Sequence, residues 1–196
     1  MLTGWLWIGT FTGTVVTTVA ALPLAALAVW ALARLRIAAG GTPARAWRDS
    51  LAEVGIVYWT VPVVWMIMLP GGQAGAVPGR LQLLPLQDLL TMLADDPGAA
   101  AGQITGNLLV FAALGFFAPL RFPALASVPR VLALAAGCSV LVETAQYVLQ
   151  LDRVTSADDV LLNAAGAGLA ALASRRWWRT AAAAPDRTRS APAPAR

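Results

Sequence analysis

The sequence predicts an all-α, polytopic membrane helix bundle with about five transmembrane helices, and three observations carry that reading. Of 196 residues, 58% are hydrophobic and only 12% are charged, whereas a soluble domain carries about 25% charged residues. The mean hydropathy is +0.67. Apolar runs near residues 5–33, 51–69, 104–120, 131–150 and 158–174 approach or exceed the length that crosses about 30 Å of hydrocarbon at about 1.5 Å per residue.

The first run lacks the basic start of a secretory signal and reads as a retained span. Trp5, Trp7 and Trp30 at its ends suit interfacial anchoring, and Pro23 bends it without ending it. After the second run comes the connection 70–103. Its Gly- and Pro-rich start, 70–79, reads as loop, and 81–93 as a short interfacial helix or re-entrant piece. The third run carries Asn107, the fourth Glu143, and the fifth starts at Asp158 and Asp159. After Thr180 the chain is Ala, Pro and Arg with little to bury, which reads as disordered. The domain reading is therefore 1–50 for an N-terminal membrane helix and cytoplasmic connection, 51–174 for a membrane domain, and 175–196 for a basic cytoplasmic tail.

All fourteen basic residues are arginine, and twelve of them fall in alternate connections: 34–48, 121–130 and 175–196. Arg80 and Arg153 stand on the other side. The positive-inside bias then predicts an external N-terminus and a cytoplasmic C-terminus. Because the arginines follow topology and form no stripe with interleaved aromatics, the net charge of +4 does not predict nucleic-acid binding. With no histidine, imidazole chemistry is excluded and the chain must work with carboxylates, amides and guanidinium. Cys138 is the single cysteine, so no intrachain disulfide or thiolate metal site can form, and it reads as a small apolar filler.

Glu143 is the most informative residue. It lies in the middle of an apolar run with Gln146, Tyr147 and Gln150 at i+3, i+4 and i+7, and with Ser139 one turn back on the same face. An ionisable side chain inside a membrane helix costs a few kcal/mol or more, so such a stripe faces protein or a wet cavity. The predicted topology puts Glu143 about 10 Å below the outer end of its helix. Asp159 and Asn163 share a face of the next helix, and Asn107 sits near the outer start of the third. Asn107, Glu143, Gln146, Asp159 and Asn163 are thus expected to line one shallow cavity open to the exterior, with Arg153 at its mouth. Asn and Gln also serve as interhelical glue in membranes. Asp158 and Asp159 stand where a helix cap or first-turn acid belongs, and Asp158 is read as the cap. Gly166 and Gly168 read as sites of close helix packing.

These same residues carry a resemblance. Gly106, Asn107, Phe111 and Gly115, then Glu143 with Gln146, then Arg153, Asp158, Asp159, Asn163 and Gly166 resemble the pattern of the VanZ-like family of small membrane proteins. The segment 81–86 is similar to that family's Asn-Leu-Ile-Pro-Phe stretch, with Gln82 and Leu86 in place of the usual Asn and Phe. The family takes its name from a teicoplanin-resistance accessory protein, and its domains look similar to helical membrane enzymes that act on lipid head groups, including phosphatidylserine synthases. The resemblance therefore implies a bacterial cell membrane and a phospholipid or polyprenyl-phosphate-linked substrate.

Two functions follow as expectations. As an enzyme, the chain would dock a lipid phosphate at Arg153 with Arg80. Glu143 or Asp159 would act as general base, or the two would hold Mg2+ or Ca2+ through hard oxygen ligands. As a non-catalytic protein, it would bind a lipid or glycopeptide in the same cavity and change envelope accessibility. A transporter is disfavoured, since the chain shows no inverted repeat and no polar path through the membrane. Membrane lipids are the expected partners; nothing in the sequence assigns an oligomeric state.

Overall fold

The computed structural model describes residues 10–76 and 80–183. Trp5, Trp7 and the tail arginines Arg187, Arg189 and Arg196, with the roles expected of them, lie outside the described residues.

Helices α1 (Phe11–Ala20) and α2 (Leu22–Ala38) form one apolar hairpinless rod bent by 42° at Ala21. Thr10 caps α1 by accepting from the Gly13 N–H at 3.0 Å, and Pro23 in the first turn of α2 explains the bend. Helix α3 (Pro43–Ile67) starts eight residues before the apolar run. Pro43 has no N–H to lose in a first turn, and Arg45 pairs with Asp49 one turn on, at 3.5 Å. The polar residues assigned to a connection are thus helical. Helix α4 (Gln87–Asp95) is short, as expected of the 81–93 segment.

Helix α5 (Pro97–Val110) begins seven residues before the predicted third run, because the Asp96 carboxylate accepts from the N–H groups of Gly98 and Ala99, both at 3.0 Å. Phe111 separates it from α6 (Ala112–Arg121), and together they make one apolar span. Helix α7 (Val128–Val148) carries Glu143, and α8 (Ala157–Ala183) runs past both the predicted end at 174 and the expected start of the tail.

Three spans, α3, α5–α6 and α7, are long and apolar enough to cross a membrane by themselves, and the bent α1–α2 pair makes a fourth. The chain is thus a multi-pass membrane helix bundle. The fifth predicted span, α8, does not meet that test. Asp158 and Asp159 at one end and Arg175, Arg176 and Arg179 at the other bracket an apolar stretch that is too short. It nevertheless runs the depth of the bundle. Its residues meet Gln103, Leu108, Gly115 and Phe116 in that order along α5–α6, and Ser139 then Leu132 in reverse along α7. So α8 lies parallel to α5–α6 and antiparallel to α7. Ala167, Ala171 and Ser174 on its inner face are fully buried.

Packing is inverted relative to a soluble domain. The fully buried residues are mostly Ala and Ser, such as Ala33, Ala100, Ala135 and Ser50, while Leu24, Leu141 and Val148 are exposed. Small residues bring helices together in hydrocarbon, and large apolar ones meet the lipid. Gly166 packs on the Leu108 backbone, Gly115 on the Ala167 backbone and Gly168 on the Leu132 side chain.

Two short strands add what the sequence reading did not contain. β1 (Arg80–Gln82) pairs in parallel with β2 (Val154–Ser156), setting Arg80 opposite Val154 and Gln82 opposite Ser156. The loop before β1 is pinned to the α7–β2 turn: the Gly71 N–H donates to the Leu151 carbonyl and the Gly75 N–H to the Gln150 carbonyl, both at 2.9 Å. The Gln73 N–H donates to the Asp152 carboxylate at 3.0 Å.

Candidate functional site

The polar groups gather at the end of the bundle where α5 and α8 begin and α7 ends. Asp159, half-buried in the first turn of α8, is held from α5. Gln103 Nε2 donates to its Oδ1 at 3.1 Å, and Asn107 Nδ2 donates to the same oxygen. Residues 103 and 107 are one helical turn apart, so both amides reach one carboxylate. Among the described residues no hydrogen bond engages Oδ2, which remains open to a further partner. Gln103 was not anticipated, although its i, i+4 spacing to Asn107 was a readable signal.

Glu143 is buried at 6% exposure. The Ser156 N–H donates to its Oε2 at 3.3 Å, and Thr155 Oγ1 donates to its backbone carbonyl at 3.3 Å. The β2 strand therefore sits on this turn of α7. Ser156, whose N–H holds Glu143, lies three residues before Asp159, so the two carboxylates stand at the same end of the bundle. One turn deeper, Asn163 Nδ2 donates to Ser139 Oγ at 2.8 Å, while Asn163 Oδ1 is buried with no hydrogen-bond partner among the described residues. A buried acceptor left without a donor is costly, and this one stands on the same faces as Glu143 and Asp159.

Other expected members are engaged elsewhere. Gln146 Nε2 donates to the Ile67 carbonyl at 2.8 Å and so satisfies the last turn of α3. It braces α7 against α3. Tyr147 and Gln150 do not join the buried stripe: Tyr147 is 40% exposed, and Gln150 leaves the helix in a left-handed turn at φ 51°. The buried part of the stripe is Ser139, Glu143 and Gln146.

Asp158 does cap a helix, but not its own. Its Oδ1 accepts from the Leu86 N–H and its Oδ2 from the Leu89 N–H at 3.0 Å, which are first-turn groups of α4. Leu86 is held at φ 67°, a left-handed conformation that a leucine adopts only under such restraint. Its own helix is capped by Ser156, whose Oγ accepts from the Asp158 N–H at 3.1 Å.

Arg153 is exposed, donates to the Leu69 carbonyl at 3.3 Å, and makes no ion pair among the described residues. The β1–β2 register sets the Arg80 backbone opposite Val154, next along the chain from Arg153. Seventy-three residues apart in sequence, the two externally assigned arginines have their backbones brought together by a ladder that no local signal announced. Among the described residues no group of three or more Asp, Glu, Cys or His side chains is arranged to hold a metal ion. Mg2+ or Ca2+ takes about six or more oxygens, so Glu143 and Asp159 would need phosphate oxygens to complete a shell.

A second charged cluster, also missed in the sequence reading, lies at the opposite end. Glu53 of α3 is paired with Arg36 of α2 and Arg121 of α6, and Arg36 also donates to Ser50. It joins three helices.

Fold and site define a multi-pass helical membrane protein with an acid-and-amide site at one end of the bundle. The VanZ/LLP1 family profile matches residues 56–178, more than half of the chain. The chain belongs to that family, and the expectation raised by Asn107, Glu143, Asp159 and Asn163 is met at the level of the family. Neither a curated protein nor a solved structure matches it.

Proposed function

We propose that the site acts on the head group of a phospholipid or of a polyprenyl-phosphate-linked envelope lipid, at the external face of a bacterial cell membrane with the N-terminus outside and the C-terminus cytoplasmic. The observation that carries this reading is the capture of Asp159 Oδ1 by two amides of α5, at the end of the bundle where the Ser156 N–H holds a second, buried carboxylate, Glu143. Such an arrangement orients a carboxylate and leaves its other oxygen for a proton. Arg153, with Arg80 beside it in the ladder, anchors the lipid phosphate, a task that suits a guanidinium fork. A hydroxyl or water attacks phosphorus and gives its proton to the Glu143–Asp159 pair. The P–O bond to the leaving group then breaks, and the leaving oxygen takes that proton back. Asn107 holds the base, and Asn163 offers its unpartnered oxygen to a donor on the bound head group.

The test presents purified protein in nanodiscs with phospholipids and polyprenyl phosphates, with and without Mg2+ or Ca2+, and follows product. Glu143→Gln and Asp159→Asn are each expected to lower turnover about 100-fold or more, and Arg153→Ala to weaken lipid affinity. Lipid binding without turnover by wild type, or full activity in Glu143→Gln, would replace this reading with a non-catalytic lipid- or glycopeptide-binding protein. Reporter fusions after Arg48 and Arg179 test the orientation: both are expected to read cytoplasmic, and an external signal from either overturns it.

A further inference from the structure

A groove of about 760 Å³ lies between α1, α3 and α5, within the range of small-molecule pockets. Val15 and Val19 of α1, Trp59 and Met66 of α3, and Gly102 and Gly106 of α5 are among its walls. Two of its threonines turn their hydroxyls back onto their own helix. Thr14 Oγ1 donates to the Thr10 carbonyl at 3.0 Å and Thr18 Oγ1 to the Thr14 carbonyl at 2.7 Å, each one turn back on its own helix. The helices that form it belong to membrane spans, so hydrocarbon meets it rather than water.

The position of the groove relative to Asp159 follows from α5. Gly102 and Gly106 each precede by one residue the amides that hold Asp159, Gln103 and Asn107. One residue is about 100° of rotation and about 1.5 Å of rise. The groove and the carboxylate therefore flank one helix at one depth, in the first half of the α5–α6 span. A Cβ added at Gly102 or Gly106 would meet no heavy atom within 4 Å, so the two glycines leave a smooth trough along that wall. A trough of this kind fits an unbranched chain better than one carrying methyl branches.

We propose that this groove is the chain subsite of the Asp159 site and takes one acyl chain of a phospholipid whose head group reaches the carboxylates. The inference rests on the head-group reading for its partner site, but it concerns a separate surface and is tested separately.

The experiment places the protein in nanodiscs of phosphatidylglycerol and phosphatidylethanolamine doped with a phospholipid bearing a photoreactive diazirine in one acyl chain. A parallel sample is doped with a diazirine-bearing polyprenyl phosphate. Crosslinked peptides are mapped for wild type, Gly106→Leu, Gly102→Leu and Asp159→Asn. The leucines enter open space, and a circular dichroism melt checks that they leave the fold intact; should Gly106→Leu melt early, Gly102→Leu carries the test.

Acyl crosslinks are expected to concentrate on the α1, α3 and α5 walls and to fall about tenfold in the leucine variants, comparable to losing burial of two methylenes. They are expected to persist in Asp159→Asn. Crosslinks spread evenly over the lipid-facing helices, or unchanged by either leucine, would mean annular lipid only and overturn the proposal. So would crosslinks from the polyprenyl probe alone, or a protein–protein crosslink showing a second copy in the groove. The two readings separate cleanly. Turnover that survives in the leucine variants removes the groove and leaves the head-group reaction, whereas a blocked groove without turnover in wild type removes the reaction and leaves the groove.

Discussion

A Cβ on Gly166 would stand 2.0 Å from the carbonyl oxygen of Leu108, and one on Gly115 would stand 2.1 Å from that of Ala167. Backbone meets backbone at both points, so α8 is seated against α5 and α6 with no room for a methyl group. Asp159 and Asn163 are carried on the same helix, about two turns and one turn before this contact.

Gly166→Ala and Gly115→Ala are therefore expected to cost about 1–3 kcal/mol or more, the range for overfilling a packed interior, because neither carbonyl can move without its helix. Gly137→Ala, where a Cβ meets nothing within 4 Å, is the matched control and is expected to be neutral or slightly stabilising. Thermal unfolding in detergent reads both, and equal melting of all three variants would contradict the packing described.

Asp158→Ala removes both acceptors for the first turn of α4. The expected loss is about 0.5–2 kcal/mol, as for a helix cap. Amide exchange at Leu86 and Leu89 is expected to quicken while that of α5 stays unchanged. Unaltered protection at those two amides would show that α4 is held by something else.

Gln103→Ala and Asn107→Ala each take one donor from Asp159 Oδ1. A hydrogen bond to a charged group contributes about 1.5–3 kcal/mol, so each variant is expected to lower the rate of the proposed head-group reaction about tenfold or more. Since both amides serve one oxygen, the double variant is expected to depart from additivity. Simple additivity with small single effects would assign the amides to helix packing.

Glu53→Ala leaves Arg36 and Arg121 facing each other across α2, α3 and α6. The Glu53 side chain is 29% exposed, so water screens part of the loss, and the expected cost is about 1–3 kcal/mol. Glu53→Gln, which keeps the shape, is expected to fall between it and wild type. The reaction proposed for the opposite end is expected to survive in both once the protein is folded.

What the sequence made legible was periodic and local. The polar stripe of Ser139, Glu143 and Gln146 stood out because charge and amides are rare in an apolar run, and Asn107, Asp159 and Asn163 followed from depth within their helices. Helix starts were less readable. The apolar run begins only where a helix enters hydrocarbon, whereas α3 and α5 begin earlier, at Pro43 and at the Asp96 cap. The pairing of Arg80 with the 153–154 segment, the Asp158 grip on α4 and the Glu53 cluster are all tertiary. Each joins residues at least fourteen apart, and no local pattern specifies which partner a lone charge will choose. The length of α8 misled in the other direction: its inner position rests on neighbours that cover it, which no property of its own residues states.

Adjacent residues 158 and 159 face α4 and α5 respectively, and the ladder fixes Ser156 opposite Gln82 just before them. The helix turns about 100° per residue, so the spacing between Ser156 and Asp159 works as a length standard. One residue inserted there would rotate both carboxylates off their partners together, leaving α4 uncapped and the amides of α5 without an acceptor. The turn at 150–152, which already adopts left-handed backbone at Gln150 and Asp152, and the stretch ahead of Arg80 lie outside that standard. An insertion between Ser156 and Asp159 is accordingly expected to disturb the site more than one ahead of the ladder.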